Sequence, residues 1–182
     1  MSKIKLDLNS EQNILNMLME SSSISEDQMS KINANSKEIG KTKLETAIEL
    51  NFTDETKIQK TLSTNYSIEL ISLEKKVIDP KIKKIIDLRY IQDNLLVPFE
   101  MGEGVLKIAI ADASKLGLMK NLKTMTKMEP ELYAATISDI NDFIERMSRM
   151  DTKKISSANV KVEKIEKNKD ELIEVGSEVI SF

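Results

Sequence analysis

The spacing of apolar residues between positions 79 and 147 constrains the fold more than any other feature of this sequence. Asp79 and Pro80 predict the start of a helix, because Asp accepts hydrogen bonds from free amides and Pro is tolerated in a first helical turn. The apolar side of that helix is formed by Ile82, Ile85, Ile86 and Tyr90. Strands and two further helices follow, so the segment predicts a body of the α+β class.

Two strands and a hairpin turn are predicted after this helix. Residues 95–99 and 105–111 are rich in branched apolar residues, which favour strands. Gly102 and Gly104 lie between them and supply a connection in which positive φ angles are expected. An antiparallel pair is therefore expected at this point.

A further helix, strand and helix complete the predicted body. Asp112 and Ser114 predict a helix cap, and the buried stripe of that helix is expected at Leu118, Leu122 and Met125. Pro130 is expected to close the turn before a strand over ELYAAT. The last helix is predicted from near Ser138, with Ile140, Phe143, Ile144 and Met147 facing the core. With a first strand at 68–73, the order is β-α-β-β-α-β-α.

Four short helices are predicted ahead of the strands. Ser25 with Gln28 forms a capping-box signature for the second of them. Residues 14–29 and 43–58 each combine an apolar helix, a polar break and a capped acidic turn, and an offset of 29 places Ser25 on Asp54. Because helical hairpins resemble one another, both an internal duplication and a coincidence stay open.

These patterns divide the chain into three parts. Residues 1–66 are expected to form a helical subdomain, and residues 67–150 an α/β subdomain in which helices cover a mixed sheet in a sandwich-like unit. Residues 151–182 lose periodicity and become charged, so we expect a flexible linker or tail. Such a tail suggests that a further domain follows in the natural protein.

The composition excludes several classes of function. The 182 residues include neither Cys nor His, so thiol nucleophiles, Cys/His metal sites and histidine bases are impossible. Lys and Arg number 27 against 30 Asp and Glu, for a net charge of -3, which argues against nucleic acid as a partner. No apolar run approaches the roughly 20 residues that span a bilayer. A cytoplasmic protein without cofactor, metal or direct membrane insertion is expected.

The segment NSKEIGKT at positions 35–42 resembles a phosphate-binding loop and suggests a P-loop enzyme using Lys41 and Thr42. Asn35 replaces the first Gly of the pattern. The segment follows a polar helix, whereas a phosphate-binding loop leaves a buried strand. The context therefore argues against nucleotide hydrolysis, and no catalytic residue is predicted.

The ten Met residues have both a structural and a functional interpretation. Flexible thioethers fill cores that are poor in aromatic residues, and they also suit adaptable binding surfaces. Met128 and Met150 lie at predicted helix ends. They are the better candidates for a partner surface.

The order of these elements resembles the amino-terminal domain of type II secretion and type IV pilus assembly ATPases. The resemblance rests on DPKIKKII, VPFEMGEGVLKIAIADAS and LKTMTKMEPELYAATISDINDFIERM, preceded by a helical lead-in that ends in FTDETKIQKTLSTNYSIELISL. It spans roughly residues 13–149. The resemblance implies a domain that precedes a motor ATPase, docks it to an inner-membrane assembly platform and, in some members, binds cyclic di-GMP.

The nucleotide-binding members carry two tandem motifs with an Arg-Leu-Gly start, a second Gly and a terminal Gln. The corresponding positions here are Asn13 and Thr42 for Arg, Leu15 and Leu44 for the first Gly, Ser22 and Asn51 for the second Gly, and Ser36 and Asn65 for Gln. Without Arg, guanine and phosphate lose a stacked, bidentate partner. Without Gly, the backbone cannot approach a ligand closely.

The sequence therefore predicts a non-catalytic docking and regulatory domain at the cytoplasmic face of the inner membrane. Its expected partners are the platform protein of the pilus or secretion machine and its own ATPase domain. A cyclic di-GMP sensor of the same family and the P-loop enzyme are the alternatives.

Overall fold

The computed structural model describes residues 6–150, and one compact unit ends at Glu145. The unit opens with four helices, α1 (Leu8–Glu20), α2 (Glu26–Ile39), α3 (Lys43–Glu49) and α4 (Glu55–Tyr66). Ser25 and Gln28 form the predicted capping box at the start of α2, and the Asp54 side chain caps α4. The four predicted helices are confirmed, and their buried apolar residues include Ile14, Leu15, Leu18, Ile32, Leu44, Ala47, Ile58 and Leu62.

A mixed sheet and its helices follow in the predicted order of element types. They are β1 (Glu69–Leu70), α5 (Ile82–Ile85), α6 (Leu88–Asn94), β2 (Leu96–Gly102), β3 (Val105–Ile110), a 3₁₀ helix (Ala113–Leu118), α7 (Met119–Thr126), β4 (Glu129–Ala134) and α8 (137–150). The strand order is β1-β4-β3-β2. β4 runs parallel to β1 and β3, whereas β2 and β3 are antiparallel. The α+β class with a mixed sheet is confirmed.

The turn between β2 and β3 has two residues. Glu103 (φ 52) and Gly104 (φ 80) both have positive φ angles, which matches the twist of a tight hairpin. Gly104 is therefore placed as predicted. Gly102 is the last residue of β2 and lies outside the turn. The positive φ angle expected at Gly102 is therefore found at Glu103.

The single helix predicted after Asp79 is wrong, because the chain breaks it in two. Ile86 is extended (ψ 127) and ends α5. Asp87 then accepts a 2.7 Å hydrogen bond from the Arg89 amide and starts α6. The Asp87 side chain therefore starts a new helix at a point where the apolar spacing alone predicted that the first helix would continue.

Pro130 lies within β4, so its predicted place in the preceding turn is wrong. The Glu129 amide donates to the carbonyl of Gly104, in the turn just before β3, and by alternation the Pro130 nitrogen faces the opposite side of β4. β1 pairs only with Tyr133 and Ala134, so no β1 residue pairs with Pro130. A missing N–H is tolerated at such an edge.

The predicted stripe of the helix after β3 is only partly confirmed. Leu122 is fully buried, whereas Met125 is 51% exposed. Residues Ala113–Leu118 form a 3₁₀ helix, whose three-residue turn shifts the phase of the side chains that follow. In α8 the predicted inward residues Ile140, Phe143, Ile144 and Met147 are all buried.

Candidate functional site

The turns after α1 and α3 have the same geometry at the predicted offset of 29 residues. After α1, the Ser22 amide donates to Met19 and the Ser23 amide to Leu18. After α3, the Asn51 amide donates to Ile48 and the Phe52 amide to Ala47. Both patterns are the Schellman arrangement that ends many helices. The repeat seen in the sequence therefore extends to individual backbone hydrogen bonds, which favours a duplication.

Ser22 and Asn51 occupy the left-handed positions of these turns. Each has a φ angle of 56°. The resemblance implies Gly at both positions, and this conformation explains why, since Gly adopts positive φ without a steric cost. The turn geometry is retained here although both glycines are replaced.

Leu15 and Leu44 stand where the resemblance implies the first Gly of each motif, and both side chains belong to the core. Leu15 is 1% exposed and Leu44 is 4% exposed. The Leu44 amide donates a 2.7 Å hydrogen bond to Oε1 of Glu11 on α1. These positions therefore serve packing between α1 and α3.

Asn13 and Thr42 stand where the resemblance implies Arg, and neither supplies a positive charge. Asn13 is exposed on α1. Thr42 caps α3, and its side chain accepts a hydrogen bond from the Glu45 amide. Neither residue can provide the planar, bidentate contact of an Arg side chain.

A shallow cavity of about 350 Å³ lies where α1, α2 and α3 meet. Of the motif positions, Leu15, Ser36 and Thr42 line this cavity. Ser36 is buried, and its hydroxyl donates to the Asn33 carbonyl. The remaining positions, Asn13, Ser22, Leu44, Asn51 and Asn65, are not part of its lining.

Glu11 and three lysines add charge to the same cavity. Glu11 is only 7% exposed. Lys37, Lys41 and Lys43 are exposed around it, and Lys41 forms an ion pair with Glu49. The sequence interpretation missed Glu11, although it is a charged residue four positions before buried Leu15 on the inward face of α1.

The segment NSKEIGKT does not form a phosphate-binding loop. Residues 35–39 belong to α2, and Gly40 (φ 70) ends that helix. Lys41 pairs with Glu49, and Thr42 caps α3. No loop of amides is left to surround a phosphate at this segment.

Met128 and Met150 are both half-buried. The Met128 amide donates to the Thr126 hydroxyl, which fixes the backbone at the end of α7. The two side chains therefore each present part of their surface to solvent. Their role in binding a partner stays a prediction.

A second cavity, of about 390 Å³, lies beside the β2–β3 hairpin. On this side of the sheet Glu100 accepts hydrogen bonds from Lys107 (2.7 Å) and Lys76 (3.2 Å). The Lys107 hydrogen bond, followed by that of Lys76, lowers the pKa of Glu100. The carboxylate of Glu100 is thus paired with both ammonium groups, and these ion pairs explain the charged residues here.

Two polar junctions attach the helices to the sheet. At the first, Lys115 in the 3₁₀ helix is 6% exposed and pairs with Asp7, the cap of α1, at 3.4 Å. At the second, Glu55 on α4 accepts hydrogen bonds from the amide (3.0 Å) and hydroxyl (2.9 Å) of Ser138 near the start of α8. Gln59 adds a 2.8 Å bond to the Ala134 carbonyl.

Residues 6–150 contain no group of three or more Asp or Glu residues placed to hold a metal ion. Within the same residues no helix is long and apolar enough to cross a bilayer.

Residues 66–153 match the family model of the MshEN domain. The fold is similar to that in a structure of MshE with cdg (cyclic di-GMP), with a TM-score of 0.56, 21% identity, and coverage of 73% of this chain and 96% of that one. It is also similar to the N-terminal domain of XpsE, with a TM-score of 0.55, 20% identity, and coverage of 78% and 98%. No curated protein matches the sequence.

These findings confirm the class that the sequence resembles, the amino-terminal domain of type II secretion and type IV pilus assembly ATPases. It is a domain distinct from the ATPase catalytic domain.

Proposed function

We propose that this chain docks a type IV pilus assembly or type II secretion ATPase to its inner-membrane platform. The match of residues 66–153 to the MshEN family carries this proposal. The buried side chains of Leu15 and Leu44 support it, because they pack in the core where the resemblance implies Gly that would let a nucleotide approach. The domain would then act through protein contacts at the cytoplasmic face of the membrane.

The proposal includes an arrangement of three parts. Residues 1–66 form the helical subdomain and 67–150 the α/β subdomain, while residues 151–182, which lie outside the described residues, lead to an ATPase domain. The coding sequence after Phe182 tests this arrangement. We expect a Walker-type motor domain there, and a reading frame that continues without one contradicts the proposal.

Binding of the platform is testable with purified proteins. We expect calorimetry to detect binding of this chain to the cytoplasmic part of the platform protein from the same genome. Met128→Gln and Met150→Gln should weaken that binding, because a polar amide replaces a thioether at a partly exposed position. Met19→Gln, at another half-buried Met on α1, is the matched control. Equal loss in the control would remove Met128 and Met150 from the interface.

Cyclic di-GMP sensing is the second candidate, favoured by the similarity to the structure of MshE with cdg. The geometry of this chain gives the nucleotide few partners, because Asn13 and Thr42 carry no charge and Leu15 and Leu44 are buried in the core. We therefore expect calorimetry at millimolar cyclic di-GMP to give no heat of binding. A saturable signal that is lost in Thr42→Ala would instead establish the sensor.

A further inference from the structure

The rim of the cavity between α1, α2 and α3 concentrates positive charge in a chain that is negative overall. Lys37, Lys41 and Lys43 line it together with the carboxylate of Glu11, and Lys41 also pairs with Glu49 beside it, so three lysines face two carboxylates and one positive charge is in excess. The whole chain has a net charge of -3. The rim therefore attracts anions, and the attraction weakens as salt screens the exposed ammonium groups.

An exposed apolar side chain lies beside these lysines. Leu8, the first residue of α1, lines the same cavity and is 82% exposed. A single exposed Leu is unremarkable by itself. Beside three lysines, however, it completes the pairing of apolar and cationic groups that is typical of surfaces lying at a membrane interface.

The position of Glu11 favours an extended anionic surface above the cavity as the ligand over a small anion inside the cavity. Its buried carboxylate already accepts the Leu44 amide at 2.7 Å. An anion that entered the cavity would therefore meet a like charge with little solvent screening. Anions above the rim would meet Lys37, Lys41 and Lys43 and remain farther from Glu11.

The type of cation also favours a surface. A lysine ammonium is a compact point charge that contacts phosphate without a fixed orientation, whereas planar recognition of a base or a bidentate phosphate contact is the property of Arg. No Arg lines the cavity. A field of phosphate headgroups suits this arrangement better than one dinucleotide.

We propose that Leu8, Lys37, Lys41 and Lys43 form a docking surface for anionic phospholipid headgroups, with Leu8 entering the interfacial layer. This lipid contact goes beyond the proposed function, since it belongs to the helical part of the chain and needs neither the platform protein nor an ATPase domain. Loss of lipid binding and loss of platform binding are therefore separate outcomes.

Vesicle co-sedimentation tests the proposal on the full 182-residue chain. The probes are vesicles of phosphatidylcholine with phosphatidylglycerol, and vesicles of phosphatidylcholine alone. We expect binding only to the anionic vesicles and a decrease as salt rises. Removal of one rim lysine should lower the partition coefficient about fivefold, the usual contribution of one basic residue near an anionic surface.

Charge-matched variants separate the rim from the net charge. The triple variant Lys37→Gln, Lys41→Gln, Lys43→Gln should lose most of the binding. The control triple Lys60→Gln, Lys81→Gln, Lys120→Gln changes the net charge equally at exposed lysines elsewhere and should bind as the unaltered chain does. Leu8→Ser should lower the binding that remains at high salt.

Three outcomes overturn the proposal. The first is no binding to anionic vesicles, and the second is equal loss in the two triple variants. The third is binding of polyglutamate, but not of vesicles, in a manner that depends on the rim lysines, which would assign the surface to an acidic protein. Thermal unfolding at an unchanged temperature verifies that each variant is folded.

Discussion

The ion pair between Asp7 and Lys115 offers the sharpest test of how the helices are attached to the sheet. Lys115 lies in the 3₁₀ helix with its side chain only 8% exposed, and its Nζ is 3.4 Å from Oδ2 of Asp7. Asp7 also caps α1, accepting a 2.7 Å hydrogen bond from the Ser10 amide through Oδ1. Asp7→Asn keeps an acceptor for that amide and removes the charge. The variant therefore isolates the ion pair from the cap.

The expected loss follows from the distance and the exposure. Two unit charges 3.4 Å apart attract by about 5 kcal/mol at an effective dielectric constant of about 20. The Asp7 side chain is 56% exposed, so water screens much of this attraction. The pair lies between an exposed pair, worth at most about 1 kcal/mol, and a buried one, whose disruption costs about 3 to 5 kcal/mol. We expect Asp7→Asn to lower the free energy of unfolding by about 2 kcal/mol.

A double-mutant cycle measured by urea unfolding verifies the assignment. Lys115→Met replaces a buried ammonium with an apolar side chain of similar length, so the double variant should recover most of the lost stability. The coupling energy should be at least about 1 kcal/mol. Additive effects of the two substitutions would refute the reasoning, since they would mean that Asp7 and Lys115 do not interact.

The same pair predicts a dependence on pH. The hydrogen bond from the Ser10 amide, with a smaller contribution from Lys115, outweighs burial and lowers the pKa of Asp7 below its ordinary value of 3.8. A carboxyl group with a lowered pKa stabilises the folded state above its unfolded pKa, and this contribution disappears as pH falls through the folded pKa. The stability difference between the unaltered chain and Asp7→Asn should therefore be constant above about pH 5 and shrink below about pH 4. A difference that persists in acid would contradict the assignment.

Three further substitutions test other contacts by urea unfolding. Ser22→Gly should raise the free energy of unfolding by about 0.5 to 1 kcal/mol, because Ser is strained at positive φ. Asn51→Gly should change it little, because Asn tolerates that conformation. Equal gains in the two variants would contradict this difference between Ser and Asn. Glu11→Ala should cost about 1 to 3 kcal/mol by leaving a buried amide without its acceptor, and Glu11→Gln, which keeps an acceptor, should cost less. Equal losses would show that the hydrogen bond to the Leu44 amide contributes little. Glu55→Ala should cost about 1 to 2 kcal/mol and speed amide exchange at Ser138, whose amide donates to Glu55; unchanged exchange would exclude this bond from the start of α8.

Local signals predicted most of the secondary structure. The Ser25 and Gln28 capping box, the tight turn at Gly104 and the branched residues that favour β3 are signals from neighbouring residues, and each predicted feature is present in the structure. The errors arose where two local signals competed. Asp87 supplied a second cap inside the predicted helix after Asp79, and the 3₁₀ helix shifted the phase of the stripe that was expected to include Met125.

Contacts between distant residues could not be predicted in the same way. Glu11 meets the Leu44 amide across 33 positions, and Glu55 meets Ser138 across 83. Glu is common on helix surfaces, so the residue type does not indicate a partner for either side chain. Glu11 gains its partner because α1 lies beside α3, and Glu55 gains its partner because α4 lies beside the start of α8. Glu11 left one trace in the sequence, a charge at an inward position of the α1 pattern.

The two repeated turns keep the same geometry with Ser22 and Asn51 at their left-handed positions. In both turns the backbone hydrogen bonds hold the left-handed residue in place, so Ser22 and Asn51 are accommodated although this conformation costs a non-Gly residue about 1 kcal/mol. Leu15 and Leu44 then strengthen the contact between α1 and α3, and Glu11 uses the Leu44 amide. Leu15, Leu44 and Glu11 therefore stabilise the helical part of the chain. The contact between α1 and α3 is therefore held by side chains and amides of this chain itself.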